Sequence, residues 1–278
     1  MIGKVKIRHL FLLAWLAALS TKAQVSSENY VQTTERISDT QVLSTTEYYD
    51  GLGRPFEMVE QKKTPDGANL IHLKEYDGLG RDWKTWLPVK DASDFLSISA
   101  ARSQGNNQYR DSHAFSLTEY DGSPLNRINT VEGVGAEWTS HPVKKDYLVN
   151  TSKYPLNCKY YRVSMQGQLQ DKGYYPEGRL YVTKTTDENG NESYEFKNIA
   201  GNVILKRTIC SIDEAADTYY IYDYRGNLAF VLPPNYQEEP SLDLYAYQYK
   251  YDGQGNCTWK KLPGCEPIYM KSVSYTHL

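Results

Sequence analysis

Along the chain, apolar and polar residues alternate in short runs with period two, and each run stops at a glycine-containing turn. LSTTEYYD and LIHLKEYD precede the hexapeptide YDGLGR, which stands at Tyr49–Arg54 and returns unchanged at Tyr76–Arg81. DWKTWLP follows its second copy. TYYIYD and NLAFVLP flank a related turn later in the chain. Period two in runs rich in β-branched and aromatic residues predicts half-buried strands. Asp-Gly and Gly-Asn pairs supply the positive φ that tight hairpin turns require, and an Asp side chain can bond the backbone two residues ahead. The predicted fold class is mainly β, built from antiparallel hairpins over Tyr30 to Leu262.

The turns recur. Tyr49, Asp50, Gly53 and Arg54 are matched by Tyr76, Asp77, Gly80 and Arg81, then by Tyr222, Asp223, Gly226 and Asn227, and by Tyr251, Asp252, Gly255 and Asn256. Looser copies are Asp187–Asn191 and Asn198–Asn202, and Tyr120–Pro124 keeps the entry but lacks the second glycine. If these are turns, Gly53 and Gly80 matter for folding through positive φ, whereas Arg54 and Arg81 are expected to be exposed and to matter little. Tyr245, Tyr247, Tyr249 and Tyr251 fall at period two, so one strand is expected to carry all four rings on one side. The stretch 89–155 is less regular, with DFLSISAAR (Asp94–Arg102) expected as a short helix capped by Ser93.

Composition adds an aromatic bias: 25 tyrosines against 6 phenylalanines in 278 residues, which suits strand faces whose rings keep a hydroxyl near water or a partner. The ends differ from the body. Lys4, Lys6 and Arg8, the run LFLLAWLAAL and Thr21-Lys22-Ala23 read as a signal peptide over 1–23, cleaved between Ala23 and Gln24; the run is too short to span a bilayer. Cleavage takes away four basic groups (Lys4, Lys6, Arg8, Lys22) and no acidic ones, moving the net charge from −3 to −7. An acidic chain without a basic cluster excludes nucleic acid as a partner. Residues 273–278, VSYTHL, follow abruptly and read as a non-native tail of a fragment.

Export predicts a periplasmic, cell-surface or secreted location and permits disulfides. Cys257 and Cys265 flank a Pro-Gly turn and are the candidate pair; Cys158 and Cys210 complete the set. No catalytic, cofactor or metal residues are expected. His72, His113 and His141 lack a second histidine at ligand spacing, and Asp187, Asn189 and Asn191 begin like a calcium loop but meet Glu192 where glycine belongs. Gly133-Val134-Gly135 lacks the context of a phosphate loop.

The YDGLGR, YDYRGN and YDGQGN units resemble the YD repeats of the bacterial RHS-repeat family. ENYVQTT, YYDGLGRPFEMV and EYDGLGRDWKTWLPV are similar to the module that precedes such repeats, and YEFKNIAGNVILKR, YYIYDYRGNLAFVLPP and YAYQYKYDGQGN match the repeats. The resemblance implies a module over 24–88 and repeats over 156–272, and the irregular segment over 89–155 departs from it. It also implies a β-hairpin ribbon spiralling into a shell, as in teneurins and insecticidal toxin complexes. Such a shell encloses or displays a C-terminal domain, so the implied partners are downstream domains of the same polypeptide and a toxin cargo. The alternative is a surface adhesin whose tyrosine-rich sheets bind a cell-surface glycan.

Overall fold

The computed structural model describes residues 28–38, 42–212 and 214–270. The signal peptide, its cleavage point at Ala23–Gln24 and the tail from 273 lie outside the described residues. The chain divides after Pro142 into two units.

In the first unit, β1 (Asn29–Arg36), β2 (Val42–Tyr49), β3 (Pro55–Glu60) and β4 (Asn69–Tyr76) pair in series, all antiparallel. The far edge of β4 is shared by β5 (Asp82–Trp86) and β6 (Val89–Asp91), separated by Leu87 and Pro88. Proline cannot donate to a ladder, so the break falls there. Helix α1 (Ile98–Tyr109) follows, and β7 (Phe115–Tyr120) then joins β5 and pairs with β8 (Ile128–Glu132) before a 3₁₀ turn at Ala136–Ser140.

β4 buries alternate residues, Asn69, Ile71, Leu73 and Glu75. Its inner apolar positions join Val59, Trp86, Val89 and Phe115 in the core, while its polar ends serve as anchors. The Asn69 amide donates to the Ser93 carbonyl at 2.9 Å and to Asp94 Oδ1 at 3.1 Å. Glu75 accepts from the Trp86 indole at 2.7 Å and from Arg102 Nε at 2.8 Å. The segment from Ser93 to Arg102 is thereby tied across the sheet at both ends. Gly105 of α1 lies so near Trp86 that a Cβ there would stand 3.2 Å from the indole.

The helix starts later than the sequence suggests. Its cap is Ser97, whose hydroxyl accepts from the Ala100 N–H, while the Ser93 N–H donates to Asp91 Oδ1. Ser93 is taken up by the preceding turn and the Asp94 carboxylate accepts from the Asn69 amide, so Ser97 is the next side chain left to cap. The stretch expected to be irregular therefore also carries strands.

The second unit opens with β9 (Val143–Val149), which pairs with β12 (Tyr181–Thr186). A separate ribbon, β10 (Lys159–Val163) with β11 (Leu169–Tyr174), lies between them in sequence. From β12 the ladder runs through β13 (Glu192–Lys197), β14 (Val203–Ser211), β15 (Glu214–Tyr222) and β16 (Leu228–Leu232). After the short helix α2 (Pro234–Glu238), β17 (Tyr247–Tyr251), β18 (Cys257–Lys261) and β19 (Ile268–Tyr269) complete it. Phe196, Leu205, Tyr219 and Leu232 centre the core.

Three of the four period-two tyrosines lie on β17. Tyr245 precedes the strand in a turn, where its hydroxyl donates to Glu239.

All four cysteines are free thiols, so the Cys257–Cys265 pair is not formed. Cys257 opens β18 and Cys265 lies beyond its far end, with Trp259 paired to Tyr269 and Lys260 to Ile268. Four strand steps alone separate ends by roughly 13 Å, against a Cα separation of at most about 7 Å for a disulfide.

Truncating the centre of the second core tests this packing. Phe196→Ala is expected to lower stability by about 3–5 kcal/mol, and Ile199→Ala, at a position 89% exposed, by less than about 0.5 kcal/mol. Urea unfolding of the two variants checks the difference.

Candidate functional site

The feature that the chain repeats most faithfully is its YD turn. In the first copy, the Asp50 N–H donates to the Arg54 carbonyl and the Gly53 N–H to the Asp50 carbonyl, each at 2.9 Å. Asp50 Oδ1 accepts from the N–H groups of Leu52 and Arg54, both at 2.9 Å. Its other oxygen accepts from Arg54 Nε at 2.7 Å. Gly53 has φ +77°, and the register between β2 and β3 shifts beside the turn. This is a three-residue hairpin loop, a type I turn closed by a left-handed residue that forms a bulge.

The same side-chain clamp, one oxygen shared by the N–H groups two and four residues ahead, recurs at Asp77, Asp187, Asn198, Asp223 and Asp252. Asn serves at 198 because the clamp needs an acceptor oxygen and not a charge. The fifth residue returns a side-chain bond to the second oxygen, from Arg81 Nε at 2.7 Å and from the Asn191, Asn227 and Asn256 amides at 2.8–3.1 Å. Thus Arg and Asn share this position because both can place an N–H donor on the same oxygen.

The sequence reading missed two more copies of the backbone loop. Thr64–Ala68 and Ser164–Gln168 close with the same pair of backbone bonds, with Gly67 at φ +80° and Gly167 at φ +78°. Their signal was a polar first residue and a glycine in fourth place, without the Asp. At Asp121, where the second glycine is lost, the loop lengthens and the Asp121 N–H reaches the Arg127 carbonyl instead.

The leading tyrosine has a partner outside its own turn. The Tyr76 hydroxyl donates to the Pro55 carbonyl at 2.7 Å, Tyr120 to Asp82 at 2.9 Å and Tyr251 to Leu228 at 2.9 Å. In each case the acceptor is the residue just after the fifth position of the preceding Asp-clamped turn. The Arg54 guanidinium lies 4.6 Å from the Tyr76 ring centroid and that of Arg81 4.4 Å from Tyr120. These arginines are therefore part of the folded turn. The Arg81 side chain is 17% exposed, which corrects the expectation of free surface charges. Tyr49 and Tyr222 lead their turns without such a bond; the Tyr49 hydroxyl donates to Glu47.

The turn carboxylates are held below their usual range. For Asp50 and Asp77 the backbone N–H of the fifth residue is the leading cause, and for Asp187 and Asp252 the Asn side-chain amide. Partial burial opposes the shift at Asp223, but the Asn227 N–H and amide outweigh it.

Two hollows lie beside these turns. One, of about 720 Å³, sits against the first turn and is lined by Arg54, Phe56, Tyr76, Phe95 and Arg102. The other, of about 320 Å³ in the second unit, is lined by Tyr160, Tyr175, Tyr220, Tyr222 and Tyr224. The histidines stand apart, with His72 beside Glu60, His113 beside Glu132 and His141 beside Ser140. Among the described residues no three His, Cys, Asp or Glu side chains gather as a metal site, and no helix is long and apolar enough to cross a membrane.

A family model described as "Domain of unknown function (DUF6443)" matches residues 20–149. No curated protein matches the chain. Among solved structures, the chain is similar to TcdB2-TccC3 without its hypervariable C-terminal region, at 14% identity and a TM-score of 0.47, covering 83% of this chain. It is similar to the Photorhabdus luminescens Tc holotoxin pore carrying a TccC3 substitution, at 16% identity and a TM-score of 0.49, covering 84%. It spans 12% and 11% of the length of those chains.

The turn geometry carries two predictions. Gly80 has φ +82°, whereas Gly78 is not in the left-handed region and has open space around it. Gly80→Ala should cost about 1–3 kcal/mol through backbone strain, with the Arg54 guanidinium, 2.6 Å from where the new Cβ would stand, also having to shift, and Gly78→Ala less than about 0.5 kcal/mol; equal losses on thermal unfolding would count against the turn assignment. Tyr76→Phe keeps the ring beneath Arg54 and removes only the bond to Pro55, so chemical denaturation should show a loss of about 0.5–1.5 kcal/mol.

Proposed function

We propose that this chain is the front part of an exported RHS-repeat protein, a β-shell scaffold that in a longer polypeptide encloses or displays a C-terminal domain, with a toxin as the candidate cargo. The observation that carries the reading is the tyrosine bond from one YD turn to the backbone just past the preceding turn. It is a connector that each added hairpin can reuse, so a ladder grows by repetition and needs no new kind of contact. The clamped turns occupy their own polar groups, which leaves them little to offer a substrate and favours a structural role over a catalytic one. The basic start, apolar run and small residues before Gln24 support export.

A second reading, an adhesin that binds a cell-surface glycan, rests on the tyrosine-lined hollow of about 320 Å³, since planar rings with a polar edge suit sugar faces. One preparation separates the two readings. The natural polypeptide with its downstream sequence is purified from the exported fraction, digested with trypsin and tested for polysaccharide binding. The scaffold reading predicts an N-terminus at Gln24 and a downstream domain that resists digestion until the shell is loosened by Gly80→Val and Gly226→Val. A downstream domain cut as fast as the isolated domain contradicts it, and polysaccharide binding lost in Tyr222→Ala supports the adhesin.

A further inference from the structure

One buried acid in the first unit takes no part in the turns. Glu57 of β3 is 2% exposed and stands opposite Tyr48 of β2 and Leu73 of β4. Oε1 accepts the Leu96 N–H at 3.0 Å, and Oε2 has no partner among the described residues. What covers this acid is the irregular segment leading into α1. The Tyr48 hydroxyl donates to the Asp94 carbonyl at 2.6 Å, and the Phe95 ring packs 4.9 Å from Tyr48 and 6.3 Å from Phe56.

The titratable groups around Glu57 are Tyr48 from β2 and Asp94 from the covering segment. On β4, Glu75 is already engaged by Trp86 and Arg102. Among the described residues no Lys, Arg or His pairs with Glu57. An ionised carboxylate in such a place has no counter-ion, and its second oxygen is closed off from solvent, so the charge is costly there until the cover opens. Backbone pairing on both sides holds Glu57 in register with Tyr48 and Leu73, whereas the cover is held by side-chain bonds from Tyr48, Asn69 and Glu57 and by the Phe95 ring, without a backbone ladder, so the cover is the part that gives way.

We propose that Glu57 is a pH-sensitive latch that holds residues 94–97 closed on the sheet while neutral and releases them when ionised. Burial lifts its carboxyl from 4.5 to about 7, with the Leu96 N–H opposing, and Tyr48, itself raised to about 12, stays protonated throughout. Because the closed state keeps a proton that an open glutamate has lost, raising the pH from 4.5 to about 7 progressively weakens the closed state. Above that window the weakening is complete. Phe95 and Ser97 also line the hollow of about 720 Å³ beside the first turn, so release of the segment widens that hollow.

Chymotrypsin cleavage at Phe95–Leu96 in the intact chain tests the latch, with rates at about pH 6 and about pH 8.5 normalised to a free peptide of the same sequence. The wild type should be cut roughly tenfold faster at the higher pH, one pKa unit being a factor of ten. Glu57→Gln, neutral at both, should show no rise, and Asp94→Asn should keep it. An equal rise in wild type and Glu57→Gln, or none in the wild type, overturns the proposal. Should Glu57→Gln fail to fold, the ¹³C carboxyl titration of Glu57 in the wild type decides: a midpoint near 7 supports the latch, and one near 4.5 overturns it.

Discussion

The recurring YD turn depends on a carboxylate or amide oxygen that takes two backbone N–H groups of its own loop. A hairpin loop leaves such donors facing water or nothing, and the side chain of the first turn residue satisfies them locally. At Asp50 this bond, the Gly53 φ of +77° and the bulge beside the turn are parts of one conformation. Removing the glycine strains the backbone, and removing the acceptor strands the donors. The carboxylate copies also make the turns acid-sensitive. Acids whose folded pKa is depressed lend stability that is present above their ordinary value of 3.8 and lost as the pH falls through the folded value.

The clamp explains one turn, and the leading tyrosine explains the series. A hydroxyl that reaches the carbonyl just past the preceding turn fixes the spacing of neighbouring hairpins, and where the fifth residue is Arg, the ring also carries its guanidinium. Tyrosine meets both needs at once, and phenylalanine meets only the second. The chain's preference of 25 tyrosines to 6 phenylalanines is consistent with that difference. The tyrosine at 120 keeps its bond even though its own loop has lost the second glycine and lengthened, so latch and loop can be separated.

Much of this was legible in the residues. Period-two runs between glycine turns marked the strands, and the YD copies marked where the chain reverses. The loops at Thr64 and Ser164 were hidden because their first residues are not acidic, although the glycine in fourth place was there to be read. The partners of the tyrosines were not legible, since an acceptor 21 or 23 residues away depends on register. Glu57 and Glu75 could have been noticed as acids in phase with Val59 and with Ile71 and Leu73, the buried positions of β3 and β4. That phase shows burial, but the helix segment they hold belongs to a later stretch of the chain. The Cys257–Cys265 pair failed for the opposite reason: nearness in sequence says little when a strand stands between.

The central claim is that successive YD turns are coupled through the tyrosine and the fifth residue of the turn before it. A double-mutant cycle on Arg54→Ala and Tyr76→Ala, read by equilibrium unfolding, isolates that pair from the bonds each residue makes elsewhere. The account predicts a favourable coupling of about 0.5–1 kcal/mol, as expected for a partly exposed cation over an aromatic ring. Losses that add to within about 0.3 kcal/mol would contradict it, because the Tyr76 ring would then carry no energetic link to the fifth residue of the YD turn before it.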